Sequence, residues 1–317
     1  VPRLPAALQE LGYQPARARA VHDFAMGLDA RGTGENAESS CVYRRPFAPF
    51  YLLNSRGLQM TTIKSLKAEL KARGVNSFFT APDANPKIAK NMKDGVITWG
   101  LHLAPADLSG FNVCAASTAG CREACLHTAG NPLYMAAKEK ARIARTKLYF
   151  QDRELFLQGL QREIDAAFRK AKRVNMAPAF RLNATSDIPW ERVALGGETV
   201  IDYINANGGE TYDYTKRANR KPPAGYHLTF SLAESNLGDA VDAYRRGLNV
   251  AVVFDTPKGK PLPSTWSLGP IKGVPVHDGD LSDYRPADPS PCVVGLRAKG
   301  DAIGDQSGFV QAAGEAV

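Results

Sequence analysis

Val96-Ile97-Thr98-Trp99-Gly100-Leu101-His102-Leu103 decides how this chain is read, because a mostly apolar run of this length without helical spacing makes a buried strand. The loop after it, punctuated by Pro105 and Gly110, carries Cys114, Cys121 and Cys125. Asn131-Pro132 then opens a helix, since Asn caps well and Pro fits the first helical turn. Helical composition runs from Leu133 to Lys172, with a break expected near Asp152. Beyond the break, Phe156, Leu160, Ile164, Phe168 and Ala171 recur at helical spacing and mark the buried face.

Working towards the N-terminus, Thr61 reads as the cap of a helix whose buried side is Ile63, Leu66 and Leu70 and whose end is Gly74. A strand over Val75 to Thr80, a turn from Pro82 to Pro86 and a short basic helix before Gly95 follow. Residues 1–60 read as an irregular extension. Towards the C-terminus, strands are expected at Ala179–Ala184, Glu210–Thr215, Tyr226–Ser231, Val250–Asp255, Val274–His277 and Val293–Ala298, with helices at Val193–Asn207 and Leu237–Arg246. Strands alternating with crossovers mean a largely parallel sheet, and about seven of them predict a closed or partial (β/α) TIM-like barrel over residues 61–317. Pro257 to Pro270 has the look of a mobile loop.

The chain has 317 residues, 44% hydrophobic and 23% charged, which is ordinary globular composition. No apolar run is long enough to span a bilayer, and Val1 to Ala30 lacks the order of a signal peptide, so a soluble cytoplasmic protein with no membrane contact is expected. Forty basic against 32 acidic residues give +8, which favours partners bearing phosphate, nucleic acid among them. Five cysteines, three of them within twelve residues, fit a metal loop in a reducing compartment better than a disulfide framework. No phosphate-cradling glycine loop, zinc-protease motif or Ser-His-Asp order supports a hydrolase.

The loop itself, Cys114-Ala115-Ala116-Ser117-Thr118-Ala119-Gly120-Cys121-Arg122-Glu123-Ala124-Cys125, is made of small residues that wrap around something compact. Three thiolates on one loop suit a [4Fe–4S] cluster whose fourth iron takes an exogenous ligand or one from elsewhere in the chain, with His127 as the candidate. Lys138, Arg142 and Arg145 follow at helical spacing and make a basic stripe that would offset the charge of such a cluster. Two other readings stand: a Cys₃His zinc site completed by His127, and cysteines packed as small apolar residues. In a barrel, ligands meet the carboxyl ends of the strands, so Asn183, Asp187, Lys216 and Lys299 are expected to orient a small or phosphorylated substrate. Ser231 and Asp255 read as capping residues instead.

Several stretches carry a resemblance. Cys114 to Gly130, Lys140 to Lys147, Arg181-Leu182-Asn183-Ala184-Thr185-Ser186-Asp187-Ile188-Pro189-Trp190, Tyr212 to Lys216, Tyr226 to Ser231 and Gly295 to Gly300 resemble an uncharacterised family encoded by bacteriophages, covering about two-thirds of the chain. That resemblance implies the host bacterial cytoplasm and brings no activity with it. A more distant similarity is to radical S-adenosylmethionine enzymes, in which a cluster loop follows the first strand of a (β/α) barrel; it implies S-adenosylmethionine as a second cofactor. The intervals here, six residues then three, depart from that superfamily's three then two. Two Gly-Gly-Glu triplets, at Gly196 and Gly208, match a motif of those enzymes, but neither falls at a strand end. Two classes of function result: a redox or radical enzyme, or a metal-stapled protein that contacts nucleic acid or a host protein.

Overall fold

The computed structural model describes residues 62–84, 86–125 and 135–314. The chain falls into two units, Val1–Leu66 and Lys67–Val317. The extension expected over residues 1–60, Cys41, Thr61, His127 and the Asn131-Pro132 helix start lie outside the described residues.

Helix α1 (Ile63–Ala72) is capped by Thr62, whose Oγ1 accepts from Ser65 N at 3.1 Å. It ends at Gly74, at φ 76°, where Val75 N donates to Leu70 O. Strand β1 (Phe79–Thr80) and the short helical turn α2 (Pro86–Ala89) lead to β2 (Val96–Leu101), all of whose residues are buried. After the cysteine loop and α3 (Ala119–Glu123) come α4 (Met135–Gln151) and α5 (Arg153–Val174). The expected break falls at Asp152, whose Oδ1 accepts from Leu155 N at 3.2 Å and so starts α5. On α5, Phe156, Leu160, Ile164 and Ala171 are buried as their spacing requires. Gly159 lies on the same face, and a Cβ there would stand 2.5 Å from the Phe78 ring, so the close approach needs glycine.

The rest of the chain supplies β3 (Ala177–Arg181), β4 (Ala194–Leu195), β5 (Glu198–Thr199), α6 (Val200–Ala206) and β6 (Glu210–Thr215). It then adds β7 (Tyr226–Ser231), α7 (Leu237–Arg245), β8 (Val250–Phe254), β9 (Thr265–Leu268), β10 (Ile271–Asp278) and β11 (Val293–Arg297). The helix expected over Val193–Asn207 is thus a small β4–β5 hairpin followed by a shorter helix. Pro257 to Pro270, expected as a loop, holds β9, which pairs antiparallel with β10.

The barrel expectation is overturned by the pairing. Nine strands form one mixed sheet in the order β1-β2-β3-β6-β7-β8-β11-β10-β9, and β1 and β9 are its two edges. From β2 to β10 every neighbouring pair is parallel, while β1 and β9 run antiparallel to their neighbours. The strands from β2 to β8 sit side by side in chain order, as in a barrel. The order then breaks: β11 inserts between β8 and β10, and the β9–β10 hairpin is pushed to the outside. Each end of the parallel run is therefore occupied by an antiparallel partner, and β1 and β9 do not pair, so the sheet stays open. One core lies between β7, β8, β11 and α7, built from Phe230, Val241, Val250, Val252, Phe254 and Val293. Each such side chain, fully removed from water, contributes roughly 1.5–3 kcal/mol.

Candidate functional site

A cavity of about 220 Å³ opens at the carboxyl ends of the parallel strands. Cys114, Cys121 and Cys125 line it, and so do Asn183, Asp187, Lys216 and Lys299, the residues expected from sequence to meet a ligand. Lys90, Arg181, Tyr214, Asp283, Arg297 and Phe309 line it as well. Of these, Arg181 and Arg297 end strands β3 and β11 and could have been found by the same strand-end rule. Lys90 and Phe309 come from segments with no strand to announce them.

The cysteine loop is held from behind. Asn112 Oδ1 accepts from Cys114 N at 2.8 Å, Ser117 Oγ donates to Cys114 O at 2.7 Å, and Arg122 Nε donates to Ser117 Oγ at 2.9 Å. Thr118 caps α3 by accepting from Cys121 N at 3.2 Å. Thr118 Oγ1 and Gly120 N both donate to the Glu234 carboxylate, at 2.7 and 2.8 Å, which ties the loop to the segment after β7. Burial raises that carboxyl, but the bonds from Thr118 and Gly120, with Lys216 nearby, hold it below its usual range. A Cβ on Gly120 would stand 2.0 Å from Ser307 Oγ, so only glycine fits between the Glu234 anchor and the C-terminal segment. Cys121 packs beside Ala124, Ala233, Ala302 and Phe309.

The three thiols line one cavity; burial pushes Cys114 up to about 11, and Cys125, Asp187 and Cys121 push the same way. Its Sγ lies 3.9 Å from Thr185 O. Cys125 interacts electrostatically with Arg142. Among the described residues no group of three His, Cys, Asp or Glu side chains is arranged around a single metal ion.

Two of the four expected ligand residues are saturated by the fold. Asn183 Oδ1 accepts from Ser186 Oγ, Ile188 N and Trp190 Nε1, at 2.8, 2.8 and 3.1 Å, while its Nδ2 donates to Ile188 O at 2.9 Å. Asp187 accepts from Thr215 Oγ1 at 2.8 Å, Lys216 N at 2.9 Å and Arg220 at 3.2 Å. Arg220 also pairs with Glu191 at 2.7 Å and donates to Tyr226 Oη at 2.7 Å. Tyr226 in turn donates to Asp213 at 2.9 Å, and Asp213 also accepts from Asn183 N at 2.7 Å. Burial pushes Asp213 up to about 7 against the Asn183 N–H, Arg220, Tyr226 and Arg181, all of which favour its ionised form. This knot reaches the cavity through Asn183 and Asp187, and sequence showed no sign of Arg220 or Asp213 as its centre.

Lys216 and Lys299 differ from that pair. Lys216 Nζ donates to Ser231 Oγ at 2.8 Å and lies 5.4 Å from the Phe309 ring centre. Ser231, expected as a cap, thus faces the cavity with Lys216. Lys299 pairs with Asp280, which also binds Arg297 at 3.1 Å, and Lys90 Nζ donates to Asp280 O at 2.7 Å. Arg297 is taken up by Asp278, Asp280 and Lys260 O. Arg181 pairs with Asp283 at 2.9 Å and lies over the Tyr214 ring.

The basic stripe on α4 is not one surface. Lys138 is exposed, whereas Arg145 is buried and donates to His102 O and Ser77 O, both at 3.0 Å. Gly196-Gly197-Glu198 forms the β4–β5 turn and Gly208-Gly209-Glu210 enters β6 at its amino end, so neither triplet lines the cavity. Cys292 is a packed thiol, pushed up to about 12 by burial. Among the described residues no helix is long and apolar enough to cross a membrane.

An open, mostly parallel sheet whose thiol-lined cavity sits at the strand ends defines an α/β protein. The chain belongs to the Gene product 88 family, whose model matches residues 69–313. No curated protein and no solved structure matches it.

Proposed function

We propose that this protein holds a [4Fe–4S] cluster through Cys114, Cys121 and Cys125 and works as a redox or radical enzyme on a small ligand bound in the same cavity. The observation that supports this most is that three thiols from one loop and the ammonium groups of Lys216 and Lys299 line one cavity. Three cysteine thiols lining one cavity are the type of donor such a cluster takes. When bound, such a cluster supplies single electrons, and an iron without a protein ligand is open to a small molecule. Glu234, Thr118 and Gly120 would hold the loop in place, Arg142 would offset charge at Cys125, and the knot around Arg220 would hold Asn183 and Asp187 at the cavity.

Anaerobic reconstitution followed by iron and sulfide counts tests the reading. A brown protein with absorbance near roughly 400 nm, lost in Cys121→Ala, is the expected outcome; a protein that takes up neither iron nor sulfide overturns it. Electron paramagnetic resonance with and without S-adenosylmethionine tests the radical branch, which is supported by the loop following the first parallel strand. A second reading, a metal staple in a protein that binds nucleic acid or a host protein, is supported by the +8 net charge. It requires zinc or a fully ligated cluster, and nucleic-acid affinity that falls steeply with salt.

A further inference from the structure

We infer that the ligand of this cavity carries an oxyanion group, a phosphate or a carboxylate, and that Lys216 and Ser231 bind it beside Cys121, with Lys299 as a further contact. The inference rests on reading the cavity as a ligand site and does not need the cluster.

The wall of the cavity has saturated acceptors and spare donors. Each of its carboxylates is already paired within the fold: Asp187 by Thr215, Lys216 N and Arg220, Asp280 by Arg297 and Lys299, and Asp283 by Arg181. The ammonium groups keep unused donors, although Lys299 is itself paired with Asp280. An ammonium has three donors, and among the described residues Lys216 makes one hydrogen bond, to Ser231 Oγ, as Lys299 makes one, to Asp280. Ser231 Oγ accepts from Lys216, which leaves its own O–H to donate. A ligand entering such a cavity must bring acceptors, and the acceptor that gains most beside an ammonium is an anionic oxygen.

Lys216 is also held in place before any ligand arrives. Ser231 Oγ fixes its head at 2.8 Å and the Phe309 ring lies beneath it, so little side-chain freedom remains to be lost on binding. Phe309 packs in the same cluster as Cys121, which puts the oxyanion next to that thiol. A cavity of about 220 Å³ is below the usual range for drug-sized ligands and takes a small molecule rather than a length of polymer.

The test uses the full chain as purified, with its iron content counted in parallel, and follows thermal unfolding with inorganic phosphate, with malonate, and with chloride at equal ionic strength. Phosphate or malonate, but not chloride, is expected to raise the melting temperature by roughly 2–4 °C near saturation. Whichever of the two acts identifies the source, a phosphorylated or a carboxylated ligand. Lys216→Gln is expected to weaken binding about tenfold or more and Ser231→Ala to weaken it less. No shift with either anion overturns the inference, as does an equal shift in Lys216→Gln with native circular dichroism. If Lys216→Gln fails to fold, Ser231→Ala and Lys299→Gln decide, and unchanged affinity in both overturns it. Iron uptake without an anion shift sinks this inference and leaves the cluster standing; an anion shift without iron does the reverse.

Discussion

The knot centred on Arg220 and the loop that carries the three thiols occupy the same end of the sheet, and they treat their polar groups in opposite ways. In the knot, Asn183, Asp187, Glu191, Asp213 and Tyr226 satisfy one another, and Arg220 has side-chain exposure of only 4%. In the loop, the backbone is anchored by Asn112, Thr118 and Glu234, while Cys114 and Cys121 remain thiols that line the cavity. A residue at a strand end therefore says little about ligand binding until its partners are known. Saturation marks a support, and unused capacity marks a contact.

The comparison breaks most easily at the knot. Arg220→Met leaves Asp187 and Glu191 buried without their counter-charge, and urea unfolding is expected to show a loss of about 3–5 kcal/mol; a loss under about 1 kcal/mol would mean that the knot does not support the fold.

Asp213 comes next, through pH. Its folded carboxyl is raised to about 7, so between about 4, the ordinary value of an aspartate, and 7 the folded state keeps a proton that the unfolded state has released. Its contribution is full below about 4 and is lost as pH rises through about 7. Arg220, Tyr226 and Arg181 face it and oppose the shift, so the measured slope reports how far burial wins. Asp213→Asn should flatten that part of the stability–pH curve, and an unchanged slope would assign it to another group.

Effects at the loop are smaller. Gly120→Ala forces Ser307 away from α3 and should cost about 1–3 kcal/mol, with poorer iron uptake because Cys121 shifts with the helix. Glu234→Gln keeps the shape but loses the charge that receives Thr118 and Gly120, which is worth about 1 kcal/mol in chemical denaturation. Cys121→Ala is expected to change stability by no more than about 1 kcal/mol while abolishing the brown chromophore. If Cys121→Ala instead destabilises as strongly as Arg220→Met, the loop is packing and not a ligand set, and the contrast between the two regions collapses.

Much of the local structure was legible in the sequence because the signals are short-ranged. The apolar run at Val96, the break at Asp152, the buried face of α5 and the termination at Gly74 each depend on neighbours within a turn or two. The same holds for the thiols, whose place on one loop after a strand can be read from neighbours alone. Tyr226–Ser231 and Glu210–Thr215 were placed to the residue, since β-rich strands bounded by turn residues announce themselves.

What only the tertiary structure decided involves partners far apart in the chain. Whether seven parallel strands close or stay open depends on which strand pairs with β11, and no local pattern tells β8 and β10 that β11 will lie between them. In the same way Asn183, Asp187, Lys216 and Lys299 look equivalent as polar residues after strands. The fold separates them, because Arg220, 33 residues beyond Asp187, reaches back to pair with it, while Lys216 makes one hydrogen bond among the described residues, to Ser231, with the Glu234 carboxylate nearby. The sequence by itself determined which chemical groups reach the carboxyl end of the sheet. Hydrogen bonds between distant segments, formed only once the sheet was assembled, decided which of those groups remain able to bind something else.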